Sequence, residues 1–360
     1  MRLGVVGCGT ISGEYLETLR GCRDLQVVVC ADTVPGRAEA TARRFGLAWT
    51  RSIDGLLEHE LDVVVNLTPP QAHHGVSLAA VRAGKHVFTE KPLAVTRDDA
   101  EELLSEAARR GVRVASAPDT FLGPPWQKAR ALVDEGAIGK PIAARAAFLS
   151  RGWERWHPSP AFFYGEGAGP LLDMGPYFLT ALVFLLGPVE RVTGAARASF
   201  SERVVAPGTP HEHRIPVRTP THVVAALELE TGAVVELVVS FDVWADETTF
   251  EIFGTEGTLL LPNPNWLDGE LRIRSVANLE EVVHGGKPVR GGRGLGIAEL
   301  ADALTEGREP RLGGNLAFHV LDAALSVLDA AREGRHVHVS STCERPAPLS
   351  PSERDLFVLP

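Results

Sequence analysis

Apolar residues follow two rhythms along the chain, and the change comes near residue 120. In the first third, short apolar runs alternate with stretches of helical spacing. Arg2–Val6 reads as a strand that runs into a glycine turn, Gly7–Gly13, with a helix to about Arg20. Gln26–Ala31 is a buried strand rich in β-branched residues, Arg37–Phe45 a helix and Leu61–Leu67 a further strand. Gly75–Ala83 is helical and stops at Gly84, and His86–Thr89 is the next strand. Thr96-Arg97-Asp98-Asp99 has the form of a capping box, so a helix starts there and ends at Gly111, before a strand at Val112–Ala115. Strands alternating with helices need crossover connections, and so predict a doubly wound parallel sheet.

Beyond residue 120 the order changes. Gln127–Glu135 reads as a helix and Ile142–Ser150 as a strand. A loop rich in glycine and aromatic residues covers Gly152–Gly169, and one long apolar helix spans Leu171–Leu186. Strand patterns follow at about 189–200, 221–230, 233–241, 248–253, 257–261 and 271–275, with Thr231-Gly232 as a two-residue hairpin turn. Helices at about 295–306 and 315–333 close the pattern. The fold class expected is α/β: a nucleotide-binding domain over residues 1–120, then an α+β domain with an open, mostly antiparallel sheet over 121–341, and a Pro/Ser-rich tail over 342–360.

Composition narrows the partners. Hydrophobic residues make up 44 % and charged residues 23 %, which suits a globular protein. The densest apolar run, Leu179–Leu186, is too short to cross a membrane, so no membrane partner is expected. A net charge of −10 without a Lys/Arg block argues against nucleic acid. The first strand starts at Arg2 with no leader pattern, which makes the cytoplasm the expected compartment. Cys8, Cys22, Cys30 and Cys343 form no CxxC pair and read as reduced thiols. His211-Glu212-His213 lacks a third ligand, so no metal is expected. Only five of the 36 basic residues are lysines, which makes a lysine inside a chemical motif more informative.

Gly7-Cys8-Gly9-Thr10-Ile11-Ser12 follows a strand and opens a helix. Gly7 permits the tight turn, Gly9 lets backbone approach a pyrophosphate, and Ser12 replaces the usual third glycine with another small residue. Asp32 ends the second strand twenty residues after Ser12, where a ribose-binding carboxylate belongs. A carboxylate accepts from a ribose 2′-hydroxyl and repels a 2′-phosphate. NAD is therefore the expected cofactor, with NADP open because Arg37 lies close by.

The strand at 86–89 runs into Glu90-Lys91-Pro92, at the end of a parallel strand where open α/β sheets bind ligands. With this motif the chain resembles the Gfo/Idh/MocA family of nicotinamide-dependent sugar and cyclitol oxidoreductases. The resemblance also rests on Gly7-Cys8-Gly9, Asp32, Asn66-Leu67-Thr68-Pro69-Pro70 with His73, the segment Gly167–Tyr177, Gly254-Thr255-Glu256-Gly257-Thr258 and Leu316–Arg332. It implies a Rossmann domain followed by an α+β domain whose sheet makes subunit contacts, so a homodimer or homotetramer. It implies Thr68, Pro69 and Pro70 beside the nicotinamide, His73 assisting, Glu90 and Lys91 at the cofactor–substrate junction, and Asp173 and residue 177 facing the substrate.

Tyr177 stands where the family often has histidine. If one helix carries both, Asp173 and Tyr177 share a face at i and i+4. A tyrosine titrates near pH 10 and a histidine near 6.5, so the phenol needs a cation such as Lys91 to act as a base. The expected chemistry is hydride transfer between NAD(P) and a secondary alcohol or ketone of a sugar, polyol or cyclitol. Lys91 would stabilise the alkoxide, and Tyr177 with Asp173 would accept the proton. In the aromatic loop, His157 and Tyr164 are the expected polar substrate contacts. Two other readings share the motifs: transient oxidation assisting glycoside cleavage, and a non-catalytic nucleotide sensor.

Overall fold

The computed structural model describes residues 1–22, 24–275, 281–283, 292–350 and 353. Lys287 and most of the tail beyond residue 350 lie outside them. The chain forms two compact units. The first holds Met1–Leu122, Pro288–Phe318 and Leu349–Pro360, the second Gly123–Lys287 and His319–Pro348. The chain first leaves the first unit after Leu122. It returns to that unit at Pro288–Phe318 and again at Leu349, so the second unit is not the one contiguous stretch expected.

In the first unit six parallel strands, β1 (Arg2–Val6), β2 (Gln26–Ala31), β3 (Ala48–Thr50), β4 (Val63–Asn66), β5 (His86–Thr89) and β6 (Val114–Ser116), lie in the order β3-β2-β1-β4-β5-β6. The order reverses between β1 and β4, the crevice at which doubly wound sheets bind nucleotides. Val5, Val29, Val64, Val65, Val87 and Phe88 are wholly buried, as strands covered on both faces require. Thr96 is the N-cap: its hydroxyl accepts from the Asp99 amide at 3.2 Å, and Gly111 ends the helix in the left-handed region. The helix expected at Gly75–Ala83 starts earlier, at Pro70, where proline fits because the first helical turn needs no donor.

The second unit is built on a nine-stranded sheet. Its order is Glu281–Val283, Leu271–Ser275, Gly257–Leu260, Glu247–Gly254, Pro141–Leu149, Val234–Ser240, His222–Leu229, Val189–Arg197 and Val337–His338. All pairs are antiparallel except Pro141–Leu149 with Val234–Ser240. One face is covered by the Gly175–Leu186 helix, every residue of which is buried. Phe178 meets Phe250 at 5.8 Å between ring centres. The single helix expected over Leu171–Leu186 is two, Pro170–Asp173 and Gly175–Leu186. Pro176 has no N–H to give the Leu172 carbonyl, and its ring crowds that oxygen, so the helix breaks at Met174.

Residues 342–350 of the segment read as a tail are packed. The Arg345 side chain donates to the Phe184 carbonyl and pairs with Asp134, and Arg130 donates to the Pro346 carbonyl at 2.7 Å. Among the described residues no helix is long and apolar enough to cross a membrane. All four cysteines are free thiols.

Candidate active site

The nucleotide turn follows β1. Gly7 sits at φ +97°, and a Cβ there would lie 2.6 Å from the Leu67 carbonyl oxygen, so only glycine fits. At Gly9 the reverse holds: a Cβ would meet nothing within 4 Å. Glycine here leaves open space in front of the Ser12–Arg20 helix, which the negative charge of a pyrophosphate would fill. Thr10 is exposed and Ile11 half-buried between Gly9 and that helix. Asp32 accepts from the Cys8 amide at 2.8 Å and from the Val34 amide at 2.7 Å. Two such bonds fix the carboxylate and still leave lone pairs for ribose hydroxyls. The residues present therefore fit a dinucleotide. Cys8 contributes its backbone to this arrangement while its thiol is buried. Arg37 is exposed at the start of the helix after β2.

After β4 the side chains are spent within the protein. Asn66 is wholly buried. Its amide donates to the His73 carbonyl at 3.0 Å and the Ser77 hydroxyl at 2.9 Å, and its oxygen accepts from the Thr68 amide and hydroxyl. All four hydrogen-bonding positions are filled, so Asn66 braces the turn and has nothing left for the cofactor, contrary to expectation. His73 is likewise wholly buried. Its ring nitrogens lie 2.7 Å from the Pro92 carbonyl and 2.8 Å from the Thr68 carbonyl. It clamps the Thr68-Pro69-Pro70 turn to the Glu90-Lys91-Pro92 turn, and this replaces the expected direct contact. Burial lowers its pKa. Thr68 and Pro70 are half-buried and Pro69 is exposed, so this turn does present a surface.

The turn after β5 is held by a residue that the sequence reading missed. The Tyr15 hydroxyl, on the buried face of the Ser12–Arg20 helix, donates to Glu90 at 2.7 Å. The other Glu90 oxygen accepts from the Lys91 amide at 3.0 Å, and the Glu90 amide donates to the Asn66 carbonyl at 2.8 Å. Burial, reinforced by the Glu90 and Asp119 charges, raises the Tyr15 pKa well above its usual value, so it remains a donor. The half-buried Lys91 is thus joined through Glu90 and Tyr15 to the helix that opens the nucleotide turn.

The second unit contributes another cluster. Asp173 accepts from the Trp153 indole N–H at 2.7 Å. Trp153 lies on a single 3-10 turn, Trp153–Arg155, and packs on Phe241, Phe148 and Trp156 at 5.3, 5.6 and 5.5 Å. His157 is half-buried, and the Ser159 amide donates to its Nδ1 at 3.1 Å. Burial lowers its pKa while the nearby Asp173 charge opposes the shift. Because of the break at Met174, Asp173 ends one helix and Tyr177 lies in the next; the expected shared helical face does not apply. Tyr177 is buried.

Tyr164 is corrected outright. It is fully buried, and its hydroxyl donates to Glu154 and accepts from the Trp153 amide. Arg203 bridges Glu154 and Asp242 beneath the loop, donates to the Phe241 carbonyl at 2.8 Å, and lies over the Tyr164 ring. Asp242 also accepts from the Thr221 hydroxyl at 2.8 Å. Tyr164 therefore holds the aromatic loop in place and does not meet substrate. Among the described residues no group of three or more His, Cys, Asp or Glu side chains gathers to hold a metal.

Comparison with known proteins places this geometry. Residues 1–117 match the oxidoreductase family with an NAD-binding Rossmann fold, and residues 126–260 match the Gfo/Idh/MocA C-terminal domain. The 1,5-anhydro-D-fructose reductase of Ensifer adhaerens is 30 % identical over 72 % of this chain and 75 % of its own length. The chain belongs to the Gfo/Idh/MocA oxidoreductase family. A second relative of this NAD-binding oxidoreductase is the dTDP-3,4-didehydro-2,6-dideoxy-alpha-D-glucose 3-reductase of Streptomyces violaceoruber. It is 34 % identical over 54 % of the chain and 57 % of that relative. The levoglucosan dehydrogenase complex with NADH shares the oxidoreductase's fold, with a TM-score of 0.82, 22 % identity, and coverage of 95 % of this chain and 99 % of the other.

Proposed function

We propose that this enzyme transfers hydride between NAD and a secondary alcohol or ketone of a sugar, polyol or cyclitol. The observation that carries the reading is the Tyr15–Glu90–Lys91 chain of hydrogen bonds, which sets a lysine at the end of β5 and ties it to the nucleotide turn. When bound, the nicotinamide supplies the hydride acceptor or donor. Lys91 hydrogen-bonds the reacting oxygen and stabilises its negative charge. Tyr177 and Asp173 take up the hydroxyl proton, and Trp153 fixes the Asp173 carboxylate for that task. The relatives named above support sugars as the substrate class. Asp32 supports NAD over NADP, because a 2′-phosphate would meet a carboxylate held by two amides. A screen of polyols and sugars with both nucleotides, followed by nucleotide absorbance, tests the reading. NADH formation with at least one sugar is expected, and no turnover in either direction with any of them would overturn it.

The open face of the second unit's sheet supports assembly as a homodimer or homotetramer. It carries Val224 and Val234 at 41 % and 48 % exposure beside the ion pairs of Arg145 with Glu236 and Glu251. A second copy would cover this apolar surface. Light scattering should give a mass above that of one chain, falling toward it in Val234→Arg. A monomeric wild type sinks this part. Four free thiols suit the reducing cytoplasm, where we place the enzyme.

A further inference from the structure

The proposed proton-transfer groups leave unexplained an exposed cluster in which Arg151 and Arg155, at the start of the aromatic loop, meet Trp244 beyond the Val234–Ser240 strand. Trp244 is 75 % exposed, and two guanidiniums lie over its ring: Arg155 at 4.2 Å and Arg151 at 5.0 Å from the ring centre. A cation–π contact engages the guanidinium's charge and spends none of the N–H donors of its planar fork. That is the fork that grips a phosphate or carboxylate. The tryptophan therefore acts as a support that gathers the two cations.

The local charge balance points the same way. The acidic neighbour on the turn, Glu154, is buried and spent on Tyr164 and Arg203. The exposed Asp246 meets Arg151 at 3.5 Å. Arg155 has no carboxylate partner among the described residues. In a chain of net charge −10 the fold leaves this cation unneutralised. Position supplies the third argument. Arg155 shares its turn with Trp153, whose indole holds Asp173. The next residue, Trp156, is 63 % exposed and stands edge-on to Trp153 and His157, an open ring suited to the C–H face of a sugar.

We propose that Arg155, with Arg151, forms an anion subsite that recognises a phosphoryl or carboxylate substituent on the sugar substrate. The inference rests on reading Asp173 as part of the substrate site. It goes further by making the substrate a charged sugar, a sugar phosphate or a sugar acid.

Calorimetric titration of the NAD-loaded enzyme with glucose, glucose 6-phosphate and glucuronate tests it. At least one charged sugar should bind more tightly than glucose, and the one that does distinguishes phosphoryl from carboxylate. The advantage should shrink with added salt, because both arginines are exposed. In Arg155→Ala it should fall by about 10- to 100-fold, the usual worth of a charge-assisted hydrogen bond. Arg155→Lys should recover part of it, since charge returns without the planar fork. NAD affinity in the same instrument reports that each variant is folded. Glucose binding as well as both charged sugars, no binding of either charged sugar, or a preference that survives Arg155→Ala would each overturn the subsite. NADH formation separates this from the parent reading. An enzyme that oxidises neutral sugars without preferring charged ones keeps the function and loses the subsite. One that binds charged sugars through Arg155 but never turns over keeps the subsite and loses the function.

Discussion

The turns after β4 and β5 in the first unit and the aromatic loop in the second fix their polar side chains by opposite means. In the first, Asn66, Thr68, His73 and Glu90 are bound mostly to backbone groups of neighbouring turns, and the bonds are short and largely uncharged at one end. In the second, Tyr164, Glu154, Arg203 and Asp242 come from separate segments and meet as a buried ionic network beneath the aromatic loop. The difference predicts different failures. A turn braced by backbone groups loses hydrogen bonds when a side chain is removed but strands no charge. A buried ionic network that loses its cation is left with two carboxylates out of water.

Arg203→Met breaks the comparison most severely. It strands Glu154 and Asp242, and breaking a buried pair costs about 3–5 kcal/mol. Denaturant unfolding should show a loss of that size; a loss under about 1 kcal/mol would mean the carboxylates find water or protons instead. Next in size is Lys91→Met in the other unit, where the loss should be catalytic. Removing one donor to a developing oxyanion lowers kcat by about 10²–10³. Unfolding midpoints and NAD affinity should hold near the wild-type values, and a variant that unfolds instead would make Lys91 a structural residue.

This contrast also sets what could be read from sequence. The glycine turn and the Thr96 cap lie within a few positions, and the doubly wound sheet and Asp32 follow from a regular alternation and spacing of elements. Ala48–Thr50 and Ile53–Leu57 were missed because three to five residues carry no usable period. The break at Met174 was legible in Pro176, but the apolar run around it masked the signal. Tyr15 reads as a core residue from its helical spacing, and nothing in sequence joins it to Glu90, 75 positions away. Arg203 falls between two strand patterns in a segment with no period, so neither its burial nor its partners could be inferred. The return of residues 288–318 to the first unit rests on contacts such as the Gly294 and Gly296 amides donating to Asp119, which span more than 170 positions.

Tyr15→Phe sharpens the comparison on the first unit's side. It removes only a hydroxyl from a buried position, so stability should fall by no more than a charged hydrogen bond is worth, about 1.5–3 kcal/mol. If the bond merely holds the helix, kcat and its pH dependence stay unchanged. If it holds Glu90 against the Lys91 turn, kcat falls about tenfold with KM nearly constant, because the lysine is less well placed for the transition state. The alkaline limb of the pH profile should then move too, since the Glu90 carboxylate is no longer fixed beside the Lys91 turn. An unmoved limb with normal kcat would reduce Tyr15 to packing.

The smallest effect compares one buried histidine from each unit. His73 faces two carbonyl oxygens, and its neutral ring can donate to only one of them, so protonation adds a second bond. His319 is buried in the second unit with its Nε2 accepting from the Val189 amide at 2.9 Å. A proton on that nitrogen would set two donors against each other. Burial lowers both pKa values, though the Pro92 and Thr68 carbonyls oppose it at His73 and the Ser341 carbonyl and Asp322 charge oppose it at His319. The sign follows from linkage. Above about pH 6.5, the usual histidine value, neither folded nor unfolded chain binds the proton. As pH falls below that value the unfolded chain takes up protons that the folded one refuses, so stability drops, by at most about 1.4 kcal/mol per pH unit for each histidine. Melting temperatures measured from pH 7.5 to 5.5 should therefore decline in the wild type. His319→Gln, which keeps an acceptor for the Val189 amide but cannot titrate, should flatten that decline even if it lowers the melting point at pH 7.5. His73→Gln should flatten it less, because the folded state has acceptors ready for the second proton at that site. Equal flattening by the two variants would mean that burial alone governs both histidines and that the hydrogen-bond partners at each site do not matter.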